Sequence, residues 1–262
     1  MNKPREPRAG EKLTAPEAKA YVDYLYSTVA KASHERIHNG PFMTQLRDGT
    51  LPLPVIRQFF KNWGHFSMEL NGLDAVSYYT HLPFFVRNFE LLGPFCAKVA
   101  DKLISPKAPG QVLVLLQTGE ELGLSRKEML EDPYLPAARA INDFCHKVFI
   151  DGSIAELWGL HVFEESLFHW MSEWYTTLTT KYGFTSEQAI YFSTHEEAGR
   201  ETQNLRPRDG RIVGSGFNRT VLERVLQGNI EFRAGYTIEY CALTMIDLHA
   251  QMKQAAMDNP YP

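Results

Sequence analysis

The chain has 262 residues, 44% of them hydrophobic, and a formal net charge of −4 at pH 7. This is an ordinary composition for a globular protein with a sizeable core, and the slight acidity gives no reason to expect nucleic acid or an anionic membrane as a partner. The three cysteines, Cys96, Cys145 and Cys241, form neither a disulfide framework nor a zinc pattern, so we expect a cytoplasmic protein. The apolar runs are too short to span a bilayer.

The N-terminal residues 1–13 are charged and proline-rich, with no apolar segment behind them. They predict a flexible tail in front of a single domain that comprises residues 14–262. Thr14 and Glu17 have the spacing of a capping box and predict a helix that runs to about Ser33. A short helix closed by an Asp-Gly pair follows.

A long helix is predicted from Pro54, and Pro83 is expected to start the next one. The helix predicted from Pro54 has a polar stripe on one face, formed by Gln58, Asn62, His65 and Glu69. A solvated face is the favoured interpretation of this stripe, and the wall of a pocket is the alternative. Asp74 lies nearer the apolar side of the helix, where it predicts a buried carboxylate.

Further helices are predicted in chain order by apolar periodicity and by cap residues. They comprise Gln111–Leu122 with Gly123 as a C-cap, one or two turns in Ser125–Glu131, and a helix from Pro136 to Ile150. No segment has the period-two pattern of a strand. The sequence therefore predicts an all-α protein with about ten helices.

The segment Leu157–Trp174, LWGLHVFEESLFHWMSEW, carries a carboxylate in its apolar face. Glu164 lies in the middle of a stripe of Leu160, Phe163, Leu167, Met171 and Trp174. A carboxylate at such a position has to be paired, protonated or bound to a cation, because burying it alone is costly. Glu165 is predicted to face the other way, in a row with His161, His169 and Glu173.

The segment YFSTHEEAG, Tyr191–Gly199, places His195 on the next helix. It is not a zinc-protease motif, because Gly199 stands where the second histidine would be. Our hypothesis is that Glu164 and His195 meet in one helical pocket and act as the catalytic residues. The candidate substrate-binding residues are His65, Glu69, Asp74, His161, Tyr191 and Tyr240.

The segment from Leu205 to Gly216 contains the three arginines Arg206, Arg208 and Arg211. A solvated connection is the favoured interpretation, and a lid that draws in an anionic substrate is the alternative. One last helix is predicted from about Phe217 to Met257, with Tyr240 and Asp247 among aliphatic residues.

Four segments resemble the haem-oxygenase-like superfamily and occur in its order: PFMTQLRDGTLPLPVIRQFFKNWGHF, EELGLSRKEML, FEESLFHW and AIYFSTHEEAG. The likeness covers roughly Tyr21 to Met252. It points to the branch that holds the thiaminase-like (TenA) proteins, the late enzyme of pyrroloquinoline quinone synthesis, and the di-iron oxidases. It implies a single helical-bundle domain, a small-molecule substrate and a homodimer.

The resemblance to the di-iron oxidases also implies positions for iron ligands. Their middle-helix glutamate falls on Glu164 and the first histidine of their H-x-x-x-D-x-x-H run falls on His195. The aspartate of that run falls on Gly199 and its second histidine on Thr202, while the earlier helix offers only Asp101. Because four of six ligands are missing, the resemblance implies either no metal or a degenerate iron site held by Glu164 and His195.

Three functions follow from the resemblance and from the two ionisable residues. The first is an oxygen-dependent oxidoreductase that modifies a small polar metabolite, with molecular oxygen as co-substrate and His195 as the base in the metal-free version. The alternatives are a non-redox hydrolase or lyase that uses Glu164 as an acid or base, and a binding protein that has lost catalysis.

Overall fold

The computed structural model describes residues 3–104, 110–131, 134–194 and 215–262. Within these ranges the chain is helical and contains no strand, which confirms the all-α prediction. No described helix combines the length and the apolar character needed to cross a bilayer. The helices are α1 (Ala15–Ser33), α2 (Pro41–Asp48), α3 (Leu53–Arg87), α4 (Phe89–Ile104), α5 (Gln111–Glu121), α6 (Arg126–Leu130), α7 (Pro136–His146), α8 (Ile154–His161), α9 (Phe163–Lys181), α10 (Ser215–Leu226) and α11 (Ile238–Asp258). Two π-helical turns, His34–His38 and Lys147–Asp151, extend α1 and α7.

Local sequence signals set several helix ends. The capping box predicted at the start of α1 is present, since the backbone N–H of Thr14 donates to Glu17 Oε2 over 2.8 Å. Gly49 follows α2 with φ of +73°, and Gly123 follows α5 with φ of +83°. Both glycines adopt the left-handed backbone conformation that ends helices at little cost for a residue without a Cβ.

Helix α3 continues through Pro83 to Arg87, so the helix start predicted at Pro83 is wrong. Phe85 gives the physical reason, because its fully buried ring stacks 3.8 Å from the ring of Phe95 and lies 5.3 Å from that of Trp158. The last turn of α3 is therefore needed to bury a large aromatic side chain, and that packing outweighs the hydrogen bond lost at the proline.

The single last helix predicted for residues 217–257 is wrong, because the chain leaves the helix at residues 227–237 and starts α11 afterwards. A buried carboxylate on α8 holds this connection. Glu156, which has no exposed surface, accepts backbone N–H bonds from Arg233, Ala234 and Tyr236 at 2.9, 3.2 and 3.0 Å. Three backbone donors on one buried carboxyl group make a bent connection more favourable than continuous helix.

Residues 3–13, predicted as a flexible tail, pair with the same connection. The backbone N–H of Gly10 donates to the carbonyl of Ile230 over 2.8 Å, and that of Leu13 donates to the carbonyl of Leu226 over 2.9 Å. These bonds join the start of the chain to the end of α10.

Candidate functional site

The segment predicted as one helix around Glu164 is two helices, α8 and α9, that meet at Val162. His161, the last residue of α8, contacts Glu164. The junction places an imidazole and a carboxylate side by side in the protein interior.

Three side chains from three helices surround the Glu164 carboxylate. Lys98 Nζ on α4 donates to Oε2 over 2.5 Å, and Asn218 Nδ2 on α10 donates to the same oxygen over 2.8 Å. His161 Nδ1 lies 2.9 Å from Oε1. Because an ionised carboxylate is only an acceptor, this ring nitrogen donates its proton to Glu164.

Electrostatics keeps Glu164 ionised. Its side chain is only 13% exposed, and burial alone would raise the pKa. The positive charge of Lys98, the charge and hydrogen bond of His161, and the charge of Lys102 outweigh burial and hold the pKa of Glu164 well below its usual value. Glu164 therefore carries a stable negative charge inside the bundle.

Asp74 on α3 is the second carboxylate of this region and is buried, as predicted. Burial raises its pKa. The charges of Lys102, Lys98 and His161 oppose this rise, whereas the neighbouring negative charge of Glu164 adds to it. The two carboxylates thus respond to one set of positive groups, and their pKa values are displaced in opposite directions.

We use the name carboxylate cluster for this set of side chains. Its members are Asp74, Lys98, Lys102, His161, Glu164 and Asn218. The cluster contains a buried acceptor without a partner: Asn218 Oδ1 has no hydrogen bond among the described residues. A buried oxygen without a partner is costly, and it is suited to accept a hydrogen bond from a bound molecule.

The buried thiol of Cys145 is not prepared for nucleophilic attack. Burial raises the pKa of Cys145, and the negative charge of Asp74 raises it further. A thiol in such surroundings stays protonated and unreactive, because the thiolate is the nucleophile. Cys145 therefore packs as a small apolar side chain beside the cluster.

A cavity of about 670 Å³ opens beside α3, and His81 is one of the residues that line it. His81 is buried, lies on α3 two turns after Asp74, and has no hydrogen-bond partner at Nε2 among the described residues. Burial lowers its pKa to about 4, and the charges of Arg233 and His161 act in the same direction. The cavity is also lined by Arg87 and Arg224, so its wall favours an anion.

The described donors do not fit the iron that the resemblance implies. Within the described ranges, no three His, Cys, Asp or Glu side chains are grouped so that they could hold a metal ion. Lys98 Nζ lies against the Glu164 carboxylate that would bind iron and already supplies a positive charge there. An iron ion would have to displace this ammonium, and a neighbouring lysine repels a second cation.

Two predicted substrate-binding residues lie on the other side of α3. His65 is buried with its ring 4.3 Å from that of Tyr134, and Glu69 pairs with His146 Nε2 over 2.5 Å. The polar stripe around them is not a solvated face: Asn62 is fully buried and its Oδ1 accepts the backbone N–H of Leu135 over 2.8 Å. That interpretation was wrong because α7 and the residues before it cover the stripe.

The two predicted tyrosines lie outside the cluster as well. Tyr191 Oη accepts a hydrogen bond from Trp63 Nε1 over 2.7 Å, and burial raises the pKa of Tyr191 to about 12. It therefore joins α3 to the neighbouring helical segment. Tyr240 is half exposed and stacks on Tyr236 with 5.1 Å between the ring centroids.

Several residues of the predicted site are not covered by the described ranges. They are His195, Gly199, Thr202 and the arginines Arg206, Arg208 and Arg211. The meeting of Glu164 with His195 therefore stays a prediction.

Asp247, which was expected among aliphatic residues, is instead half exposed and paired with Arg36 over 2.5 Å.

Sequence reasoning missed Lys98, Lys102 and Asn218. The two lysines are four residues apart in a helix that also carries the charged residues Glu90 and Asp101, and this spacing places both lysines on one face of α4. That signal does not show which carboxylate they meet, because the contact joins segments far apart in the chain. Asn218 carries no comparable signal.

Comparison with solved structures shows which fold this is. A TenA homologue from Pseudomonas syringae pv. tomato superposes with a TM-score of 0.66 over 97% of this chain and 100% of its own, at 11% identity. A domain of unknown function with a heme oxygenase-like fold from Shewanella denitrificans superposes with a TM-score of 0.55 over 95% of this chain and 94% of its own, at 12% identity. No family model and no curated protein matches the sequence. The chain has a haem-oxygenase-like fold, which confirms the resemblance at the level of fold.

Proposed function

We propose, on the premise of a haem-oxygenase-like fold, that the chain is a metal-independent enzyme that moves a proton on a small polar molecule at the carboxylate cluster. One observation carries this proposal: Asp74 and Glu164 are two buried carboxylates whose pKa values are displaced in opposite directions, because burial raises that of Asp74 while Lys98, His161 and Lys102 hold that of Glu164 low. In such a pair one carboxyl group can hold and release a proton while the other stays ionised, an arrangement that suits general acid–base catalysis.

The two carboxylates then have different roles. Asp74, with its raised pKa, is the group that gives a proton to the substrate or takes one from it. Glu164 stays ionised and orients His161 through the 2.9 Å hydrogen bond. Lys98 and Lys102 place positive charge where a substrate anion would develop, which lowers the free energy of that anion.

A non-redox reaction, hydrolysis or elimination, is the first candidate. Both reactions need a proton to be moved while a bond breaks, and neither needs a metal or an electron acceptor. The TenA homologue is the structural neighbour with the TM-score of 0.66, which supports a reaction of this kind without assigning its substrate.

Oxidation by molecular oxygen is the second candidate, and it shares the first step. Proton removal by Asp74 would leave an electron-rich substrate anion, which can pass two electrons to oxygen. The oxygen takes up the proton held by Asp74 and a second proton from the substrate, and it leaves as hydrogen peroxide. The positive charges of the two lysines, Lys98 and Lys102, favour this candidate, because they stabilise the substrate anion before oxygen reacts with it.

The experiment is turnover of a metabolite extract by the purified chain, followed by mass spectrometry in air and under strict anaerobiosis, with and without a chelator. We expect a compound to be consumed, with no effect of the chelator and with at least a hundredfold loss in Asp74→Asn. The matched control is Asp143→Asn, since Asp143 forms only an exposed pair with Arg139 on α7.

Each outcome decides between the candidates. Turnover that continues without oxygen supports hydrolysis or elimination, and turnover that needs oxygen and forms peroxide supports oxidation. Full activity of Asp74→Asn, or activity that the chelator abolishes, would overturn the proposal. A small-molecule partner, a cytoplasmic location and a homodimer remain predictions from the sequence; light scattering of the purified chain tests the dimer.

A further inference from the structure

A second buried polar pair lies on α11, on the side of the bundle where α11 packs against α2 and α9. His249 and Lys253 are one helical turn apart and almost wholly buried. Lys253 Nζ lies 4.5 Å from the ring centroid of Trp170 and 5.0 Å from that of Phe59. Among the described residues it has no hydrogen-bond partner and no carboxylate within ion-pair distance.

The imidazole next to this amine is also unpartnered. Neither ring nitrogen of His249 has a hydrogen bond within the described ranges, and its ring stacks on Phe163 with 5.2 Å between centroids. Burial holds the pKa of His249 well below its usual value, and the charge of Lys253 acts in the same direction. The imidazole is therefore neutral and adds no charge beside the amine.

The surroundings of Lys253 favour its uncharged form. Burial lowers the pKa of Lys253 to about 7, although the negative charge of Glu173 on α9 acts in the opposite direction. Glu173 is itself engaged by His38 at 2.5 Å and by Arg47 at 3.3 Å. Near neutral pH a large fraction of Lys253 is thus a free amine, the nucleophilic form of lysine.

Lys253 is one of the residues that line a cavity of about 270 Å³ between the first π-helical turn, the start of α2 and α11. The other polar groups on its wall are Arg36, Gln251 and Gln254. Arg36 Nη1 pairs with Asp247 over 2.5 Å, which leaves the rest of its guanidinium donors for another acceptor. The volume fits a molecule of a few heavy atoms, and the arginine suits one that carries a carboxylate.

We propose that Lys253 forms an imine with a small aldehyde or ketone bound in this cavity. The amine nitrogen attacks the carbonyl carbon, and the N–C bond forms as the carbonyl π bond breaks. Both amine hydrogens leave with the carbonyl oxygen as water, so that no oxidant or reductant takes part. In this proposal neutral His249, one helical turn from Lys253, relays a proton between nitrogen and oxygen. This site is separate from the carboxylate cluster and does not depend on its function.

The experiment is reductive trapping on the native full-length chain. Glyoxylate, an aldehyde that carries a carboxylate, is added with cyanoborohydride between pH 6 and 9, and the carboxymethylated lysines are mapped by mass spectrometry of peptides. We expect Lys253 to be modified about tenfold faster at pH 7 than the exposed Lys31 on α1, because a solvated lysine amine is almost wholly protonated at that pH. Lys253→Met should remove the fast adduct and leave the slow ones.

Propionaldehyde, which lacks the carboxylate, serves as the second probe. A slower reaction of propionaldehyde at Lys253, with equal rates at Lys31, supports the role given to Arg36. Modification of Lys253 only after the chain is unfolded would overturn the proposal, and the lysine would then be a structural cation packed between two rings. Because the measurement uses the wild-type chain, it decides the matter even where a variant fails to fold.

Discussion

Lys98 Nζ lies 2.5 Å from Glu164 Oε2, although the two residues are 66 positions apart in the chain. The ammonium stands against the one carboxylate to which the resemblance assigned iron, and it links α4 to α9. A lysine in this place supplies fixed positive charge without exchange or redox chemistry. Glu164, which was expected to bind a metal, is therefore one partner of a buried ion pair.

The first prediction concerns the strength of this pair. Removing either partner leaves the other charge buried and unpaired, so Lys98→Met and Glu164→Gln should each lower the free energy of unfolding by about 3–5 kcal/mol. The double variant should lose less than the sum, because neither charge then remains. Urea unfolding at pH 7 measures all three.

The exposed pair of Lys147 and Asp151, 2.9 Å apart on the second π-helical turn, is the matched control. Its double-mutant cycle should give a coupling of only about 0.5 kcal/mol, since water screens exposed charges. Equal coupling energies for the two pairs would contradict the buried position of Lys98 and Glu164. The stabilisation from Glu164 should be full above the pKa of the unfolded carboxyl and should be lost as the pH falls through its depressed folded value.

The second prediction concerns the pH dependence due to Asp74. Because its pKa is raised in the folded chain, Asp74 keeps its proton there at pH values where the unfolded chain has released it. Its contribution to stability is therefore complete below the unfolded pKa and falls as the pH rises through the folded pKa. Unfolding free energies of the wild type and Asp74→Asn, compared from pH 4 to pH 8, should diverge in favour of the variant. Parallel curves would show that Asp74 titrates normally.

The third prediction concerns the acceptor that holds the connection between α10 and α11. In Glu156→Gln one carboxylate oxygen becomes an amide NH₂, which cannot accept the backbone N–H groups that Arg233 and Ala234 donate to Oε2 or the one that Tyr236 donates to Oε1. The free energy of unfolding should fall by about 2 kcal/mol or more, because buried donors lose their partner. Thermal unfolding measures the loss. The equivalent change at exposed Glu35, paired with Lys31 over 3.8 Å, should have almost no effect.

The fourth prediction concerns the buried amine on α11. Lys253 has a folded pKa of about 7, far below that of an unfolded lysine, so holding it in the interior is costly wherever the unfolded chain is protonated. Lys253→Met should raise the free energy of unfolding by on the order of 3 kcal/mol at and below pH 7, and the gain should shrink as the pH rises towards 10. A gain independent of pH would assign the effect to packing alone.

The local sequence was sufficient to predict a feature wherever the feature depends on residues within four positions of it. The capping box of Thr14 and Glu17 and the left-handed glycines Gly49 and Gly123 depend on backbone groups next to them. The position of Glu164 inside an apolar stripe likewise indicated from the sequence that its carboxylate needs a partner. Asp74 was found in the same way.

Long-range packing decided the rest. Phe85 must pack on Phe95 to carry α3 past Pro83, and the backbone N–H groups of residues 233–236 must reach Glu156 to end one helix and begin another. Lys98 meets Glu164 because the fold brings α4 and α9 to one relative position, which the periodicity of neither helix encodes. Periodicity shows which face of a helix is buried, and only the assembled bundle shows what that face meets.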